Sequence, residues 1–354
     1  MDASILGSQQ VLTKPAGRFA SGPALYISII LCTVLVALAY KLRTNGIFAC
    51  EAGGYTSDRY LAFCPVAGYG DYEHGAFLLK LEPEALTFAG KADVLFLGDS
   101  HVQHAFSTAA TTQWFASTSA RYYLMGFVFG ENATFAEPLV REVKPNAKVV
   151  VLPVDFFSRK ETAPGKEVLH DPSAPFNYRV KRIWQFIHAA TCGKLPAPCG
   201  KAPVIFRSRE TGTYELNLSG VGARMFKSAP VVYDHDVNQE RIDEYTMSAR
   251  RFLSGLAIER DCIILTRVPT VRANAFVYAS SIETAGAVAS ALGLTLVAPE
   301  LDGLQTFDGS HLDPPSAERW SKAFFEAAGP QMRKCLSSPR AAGDTSRLSE
   351  LVSR

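Results

Sequence analysis

A serine that does nucleophilic chemistry needs a base to take its proton and a third group to orient that base. Two stretches of this chain hold those residue types. The first is Gly98-Asp99-Ser100, which follows at once on the apolar run Val94-Leu95-Phe96-Leu97. A buried strand running into a helix at that point leaves the serine at the carboxyl edge of a sheet. Its hydroxyl is then exposed, and its backbone N–H and the helix N-terminus face the same space, which suits a developing negative charge. The second stretch is Asp308-Gly309-Ser310-His311, ahead of a helix opened by Pro315 and Ser316. An aspartate and a histidine three apart on a tight turn present the imidazole outward while the carboxylate holds its other nitrogen. That is the base-and-orienter half of a serine triad. Each motif alone has a plainer reading, Asp99 or Ser100 as a helix cap and Asp308 with His311 as a coincidence. Their pairing is what points to chemistry.

The elements that must bring these segments together read as alternating apolar runs and helices. After the strand at 94–97 and a helix from about His101, residues 122–125 (YYLM) form a second strand and 135–143 a short helix ended near Pro145. Residues 148–154 (KVVVLPV) form a third strand, in which Pro153 is a blemish. Helical periodicity at 241–256, a fourth strand at 262–266 (CIILT), a helix at 276–292 and a fifth strand at 294–297 complete the series. The alternation predicts an α/β domain with a parallel sheet covered on both faces, and such sheets bind ligands at the carboxyl ends of their strands. Residues 44–88 carry few strand-like runs and read as a lead-in that packs on the domain. Residues 156–230 interrupt the alternation and hold twelve Lys or Arg against five Asp or Glu, within a chain whose net charge is only +2. They read either as a lobe that draws in an anionic substrate, such as an acidic glycan or a lipid headgroup, or as the solvated face of a surface insertion.

Gly-Asp-Ser after the first strand and Asp-x-x-His before the last helix together resemble the SGNH (GDSL-type) hydrolase superfamily, over roughly residues 90–330. Within it the chain is most similar to membrane-anchored envelope members, which include esterases and alginate-type O-acetyltransferases. The resemblance implies a flavodoxin-like three-layer α/β/α sandwich, with Ser100 as nucleophile, His311 as general base and Asp308 as its orienter. It also implies an oxyanion hole formed by the Ser100 N–H, a glycine N–H and an asparagine. The spacing suits Gly130 for the glycine better than Gly126. The asparagine should follow the third strand, where this chain has Val154-Asp155-Phe156. An ionised Asp155 cannot donate a hydrogen bond and repels an oxyanion. Asp155 is therefore protonated, or has another job, or Asn132 supplies the donor; losing one such donor costs on the order of 10²–10³ in turnover. His101 and Asp155 are the candidate substrate contacts, while His104 and Glu131 read more simply as a satisfied histidine and a surface carboxylate. The Tyr72-Glu73-His74 cluster offers no evident mechanism. No glycine-rich phosphate loop, His-Glu-x-x-His or paired zinc ligands occur in the sequence, so no cofactor and no metal is expected.

Residues 24–40 (ALYISIILCTVLVALAY) run for seventeen positions without a charge. With Leu42 and snorkelling by Lys41 and Arg43 they reach the lower limit of a membrane span. A buried core helix is one rival reading. A cleavable signal with Ala37-Leu38-Ala39 as processing site is another, although the bases just beyond that site and the long polar leader favour an uncleaved anchor. Lys14 and Arg18 on one side balance Lys41 and Arg43 on the other, so charge does not orient the span. Outside it lie six cysteines. Cys192 and Cys199 bracket one short loop that a disulfide could close, and Cys50 and Cys64 bracket another; six cysteines admit fifteen full pairings. An even cysteine set behind an anchor points to an oxidising space.

Apolar residues at 47%, charged residues at 20% and a single apolar stretch exclude a disordered or fibrous chain, a multi-span transporter and a strongly basic nucleic-acid binder. The expected organisation is a cytoplasmic tail (1–23), a transmembrane anchor (24–42), the lead-in (44–88), an SGNH-like domain (89–335) with its insertion (156–230), and a loose tail (336–354). The expected function is a single-pass membrane protein whose extracytoplasmic, periplasmic domain cleaves acyl esters of an envelope glycan. Alternatives are O-acyl transfer to a polysaccharide, and a non-catalytic glycan-binding or scaffold subunit. No nucleic-acid partner is expected.

Overall fold

The computed structural model describes residues 22–66, 68–192, 199–217, 227–271 and 280–338. The chain divides into two units, Met1–Leu42 and Arg43–Arg354. Helix α1 (Pro23–Asn45) contains the window Pro23–Lys41, 19 residues of mean hydropathy 2.2 with none of it buried. At 1.5 Å per residue that window is about 28 Å long, close to the ~30 Å of a bilayer's hydrocarbon core. Among the described residues, one N-terminal helix is thus long and apolar enough to cross a membrane. The leader expected ahead of it falls, apart from its last two residues, outside the described residues.

The second unit opens with β1 (Arg59–Cys64), β2 (Gly70–Asp71), α2 (Glu73–Leu78) and α3 (Pro83–Lys91). An alternating region follows: β3 (Val94–Asp99), α4 (Ser100–Phe106), α5 (Ala109–Thr118), β4 (Tyr122–Phe127), α6 (Ala133–Val143) and β5 (Val149–Pro153). Next come α7 (Ala163–His170), α8 (Ala174–Cys192), β6 (Val204–Ser208), β7 (Tyr214–Asn217) and β8 (Ala229–Pro230). Alternation resumes with α9 (Gln239–Leu253), β9 (Ile263–Thr266), α10 (Ile282–Leu292), β10 (Thr295–Val297) and β11 (Gln305–Thr306), and α11 (Pro314–Ser337) closes the fold.

Five of these strands form one parallel sheet in the order β4-β3-β5-β9-β10. Counted along that sheet the order is 2-1-3-4-5, a doubly wound arrangement whose switch point lies between β3 and β5. Successive side chains point to opposite faces, and along β3, β4, β5 and β9 both faces are buried. Leu95, Leu97, Val150 and Leu152 join one core with α3, α6, α9 and α10, whereas Val94, Phe96, Val149 and Val151 join another with α4, α5 and α11. Helices thus cover the sheet on each side. Pro153 ends β5, where a missing N–H costs the ladder least.

A second sheet departs from the sequence expectation. Strands β2-β1-β6-β7 pair antiparallel, so the lead-in and the basic insertion share one sheet. Pairing Arg59 with Ser208 and Leu61 with Phe206 joins segments almost 150 residues apart, a link that local pattern does not encode. The helix expected at 276–292 is described from Ile282, residues 272–279 lying outside the described set. The last helix extends through Ser337, into the tail expected to be loose; residues 339–354 lie outside the described set. Three disulfides, Cys50–Cys64, Cys192–Cys199 and Cys262–Cys335, use all six cysteines beyond α1. The third closes a loop of 73 residues, a constraint that in the chain-entropy picture is worth about 4 kcal/mol.

Candidate active site

Strand β3 delivers Ser100 to the carboxyl edge of the parallel sheet as the first residue of α4. Gly98 makes the approach possible, since a Cβ there would sit 2.6 Å from Val102 Cγ2 and 3.1 Å from the Pro153 ring. Asp99 caps α4, its Oδ1 accepting the His101 N–H at 2.9 Å. From the far end of the fold, the turn before α11 brings His311 alongside. His311 Nε2 lies 2.7 Å from Ser100 Oγ and His311 Nδ1 lies 2.7 Å from Asp308 Oδ2. The other oxygen of Asp308 accepts the backbone N–H groups of Ser310 at 2.9 Å and His311 at 2.8 Å, which fixes the carboxylate against its own turn. Burial alone raises the Asp308 pKa, but the hydrogen bond and charge of His311 outweigh it and hold the carboxyl well below its ordinary range.

His101 is bonded as well. Its Nδ1 lies 3.0 Å from Asp99 Oδ2 and its Nε2 lies 2.9 Å from Ser310 Oγ. Burial lowers its pKa, yet the charge and hydrogen bond of Asp99 prevail and the net shift is upward. The His104 ring sits 4.6 Å from that of His311 and 5.3 Å from Phe307. Burial first, then the neighbouring His311, pushes its pKa well down, so His104 is a neutral packing partner of the site.

Ser100, His101, Asp155, Asp308 and His311 line one cavity of about 560 Å³. Phe63, Phe129, Ile205 and Leu216 give it an apolar wall drawn largely from the antiparallel sheet. Ser158, Lys160, Glu161 and Thr162 form a polar rim. Gly130 also lines the cavity, and a Cβ built on it meets nothing within 4 Å. Asn132, the alternative oxyanion donor, is committed elsewhere and is not among the lining residues. It caps α6 by accepting from Thr134 and Phe135 N–H at 3.0 and 3.2 Å, and its amide donates to the Lys160 carbonyl at 2.8 Å. The physical reason is the helix start: an asparagine just before Ala133 satisfies orphan N–H groups. Asp155 Oδ1 accepts the Ser280 N–H at 2.7 Å. Burial raises its pKa against the lowering effect of that bond and of Arg267.

Sequence reasoning missed what holds the loop between β4 and α6. Glu73 Oε1 accepts the Val128 N–H at 2.6 Å and the Tyr214 hydroxyl at 2.5 Å, and Glu73 Oε2 pairs with Arg207 Nη1 at 2.9 Å with both side chains fully buried. Arg207 also donates to the carbonyls of Gly126 and Leu124, at 2.9 and 2.6 Å. On the other side of the loop, Glu131 receives His74 Nε2 at 2.8 Å and the Thr162 hydroxyl. Between these anchors Phe129 takes a left-handed backbone conformation at φ 67°, a strain that a bulky residue adopts only where its surroundings enforce it. The available signal was Arg207 directly after the apolar run Val204-Ile205-Phe206: a cation on a buried strand demands a partner.

Asp71, Glu73 and His74 have ligand atoms close enough for a cation, but their donors are used internally. His74 Nδ1 meets Asp71 at 2.7 Å and Nε2 meets Glu131, and these carboxylates, overcoming burial, push the ring's pKa up to about 10. An imidazolium with both N–H groups donated has no lone pair for a metal. Comparison with known protein families, with curated proteins and with solved structures finds no match to this chain.

Proposed function

We propose that this chain is a membrane-anchored, extracytoplasmic serine esterase of the SGNH type, acting on acyl esters of an envelope glycan. The observation that carries the reading is the unbroken path from Ser100 Oγ through His311 to Asp308, with both links at 2.7 Å. As Ser100 attacks the ester carbonyl, His311 Nε2 takes the hydroxyl proton and Asp308 holds the imidazolium that forms. The proton then passes to the leaving sugar oxygen, leaving an acyl ester on Ser100. Water, activated by the same imidazole, releases the acid. The N–H groups of Ser100 and Gly130 hold the oxyanion. In the resting site the Ser100 N–H and Oγ lie 3.5 and 3.4 Å from the Phe129 carbonyl, contacts at the outer limit of hydrogen bonding that an anion displaces readily.

The apolar wall suits an acyl chain and the polar rim suits sugar hydroxyls, in a cavity of the size usual for ligand sites. Three disulfides support an oxidising compartment. Acyl transfer to a glycan hydroxyl is a second reading, favoured by the apolar wall, which shields an acyl-enzyme from water.

The test is release of free acid from a chromogenic acyl ester by the full chain, with and without oligosaccharide. Ser100-dependent free acid supports the esterase. Glycan-dependent product with little free acid supports transfer. Turnover no faster than the uncatalysed background would leave a non-catalytic glycan-binding or scaffold subunit.

A further inference from the structure

The cavity contains two serine-histidine-aspartate paths, and they are interleaved. Asp99-Ser100-His101 and Asp308-Gly309-Ser310-His311 each supply an aspartate, a serine and a histidine. In each segment the aspartate holds Nδ1 of its own histidine, at 3.0 Å for Asp99 and His101 and 2.7 Å for Asp308 and His311. Each histidine then gives its Nε2 to the serine of the other segment, at 2.9 Å for His101 to Ser310 and 2.7 Å for His311 to Ser100. The imidazole rings lie 5.0 Å apart and both serines line the same cavity. Only one of these paths is used by the reaction described above.

We propose that Ser310 is a second nucleophile of this cavity, with His101 as its base and Asp99 as the orienter of that base, able to form its own acyl ester with the same class of substrate. Ser310 Oγ bonds to the acyl carbon and the ester C–O bond breaks. The serine proton passes to His101 Nε2 and from there to the leaving alkoxide, so no further reactant is needed. The turn holds Ser310 in place: its N–H donates to Asp308 and its carbonyl accepts the Thr270 hydroxyl at 2.9 Å. The groups that face His101 are Asp99, Asp155 and Asp308, which outweigh the lowering effect of burial and raise its pKa, together with the rings of His311 and His104. Reaction at Ser310 therefore grows as pH rises above the ordinary histidine range, where His101 loses its extra proton.

The inference needs the cavity to be reactive, as the esterase reading does, but not that Ser100 be the nucleophile of turnover. The experiment reacts the full-length protein with a fluorophosphonate and maps the adducted serine by peptide mass. Trypsin places Ser100 and Ser310 in different peptides, because Arg121 follows the first and Arg272 precedes the second. Ser100→Ala and Ser100→Gly, each checked by an unchanged melting temperature, are expected to keep an adduct on Ser310. Adding His101→Ala to either should slow that capture by about 100-fold or more, the usual contribution of a general base. Adding Ser310→Ala should abolish it. Folded Ser100 variants that take no label while the wild type labels at Ser100 would overturn this inference and leave the esterase reading standing. A folded wild type that labels at neither serine would overturn both.

Discussion

Two Asp-x-x-His motifs in this protein share one carboxylate–imidazole contact and lie in opposite surroundings. In Asp308-x-x-His311 and in Asp71-x-x-His74 the aspartate meets Nδ1 at 2.7 Å. The difference is what the other ring nitrogen faces. His311 Nε2 meets the hydroxyl of Ser100 at the wall of a cavity, whereas His74 Nε2 meets the carboxylate of Glu131 in a site sealed from solvent. A hydroxyl can give up its proton to the imidazole. A second carboxylate instead fixes the imidazole in its charged form. The aspartate that orients a histidine therefore says little about chemistry; the partner of the far nitrogen, and its access to substrate, decides between a base and a strut.

The comparison breaks most sharply at the serine. Ser100→Ala and His311→Ala are expected to lower turnover through Ser100 by on the order of 10⁶-fold with little change in melting temperature. A stable variant with turnover near wild type would show that the Ser100–His311 pair does not carry turnover. The reverse pattern is expected at the strut. His74→Gln leaves Asp71 and Glu131 facing each other in the core, and breaking a buried charge pair costs about 3–5 kcal/mol, visible as a lower denaturation midpoint. Turnover per folded molecule should stay within the range set by a loosened Phe129–Gly130 loop, far above that of Ser100→Ala.

Asp155→Asn sharpens the view of the oxyanion side. It keeps the acceptor for Ser280 N–H and replaces a repelling carboxylate with a donor, so hydrolysis at neutral pH should rise, by at most on the order of 10². Unchanged turnover would show that Asp155 does not face the developing charge.

A smaller effect appears in the pH dependence of stability. The His74 pKa is raised in the folded state, to about 10. Its contribution is therefore fully present below the ordinary histidine value and is lost as pH rises through about 10. Asp308 shifts downward, so its contribution is present above the ordinary carboxylate range and lost on acidification. Urea titrations at pH 6, 8 and 10 should show the alkaline decline in the wild type and a flatter line in His74→Gln. The smallest effect is expected at Gly130→Ala: the new methyl has open space, and the backbone N–H that would hold the oxyanion is retained. Steady-state turnover should be unchanged, and a large loss would mean that substrate packs against Gly130.

Much of this was legible in the sequence where local pattern dictates structure. Strands β3, β4, β5 and β9 are short apolar runs because they are buried on both faces, the edge strand β10 being only partly buried, and the runs at 94–97, 122–125, 148–154, 262–266 and 294–297 all correspond to strands of the sheet. Ser100, Asp308 and His311 were legible because each sits on a turn whose position follows from the neighbouring strand or helix. The antiparallel sheet was not, since β1 and β6 find each other only in the folded chain. Glu73 was illegible for the same reason, and Arg207 after its apolar run called for a buried partner without naming it; their meeting across 134 residues explains both. Asn132 caps α6 instead of supplying an oxyanion donor, and its place just ahead of Ala133 is itself a helix-start signal. The pairing of Cys262 with Cys335, 73 residues away, likewise needed three dimensions.

The central claim is that Ser100 is made nucleophilic by His311. Its most direct test is the rate at which wild-type protein takes a fluorophosphonate adduct on the peptide that contains Ser100, measured against pH and against His311→Ala. The account predicts an adduct on Ser100 whose rate of formation falls by about 100-fold or more without His311. A folded wild-type protein with no adduct on Ser100, or one that labels there equally fast without His311, would contradict it.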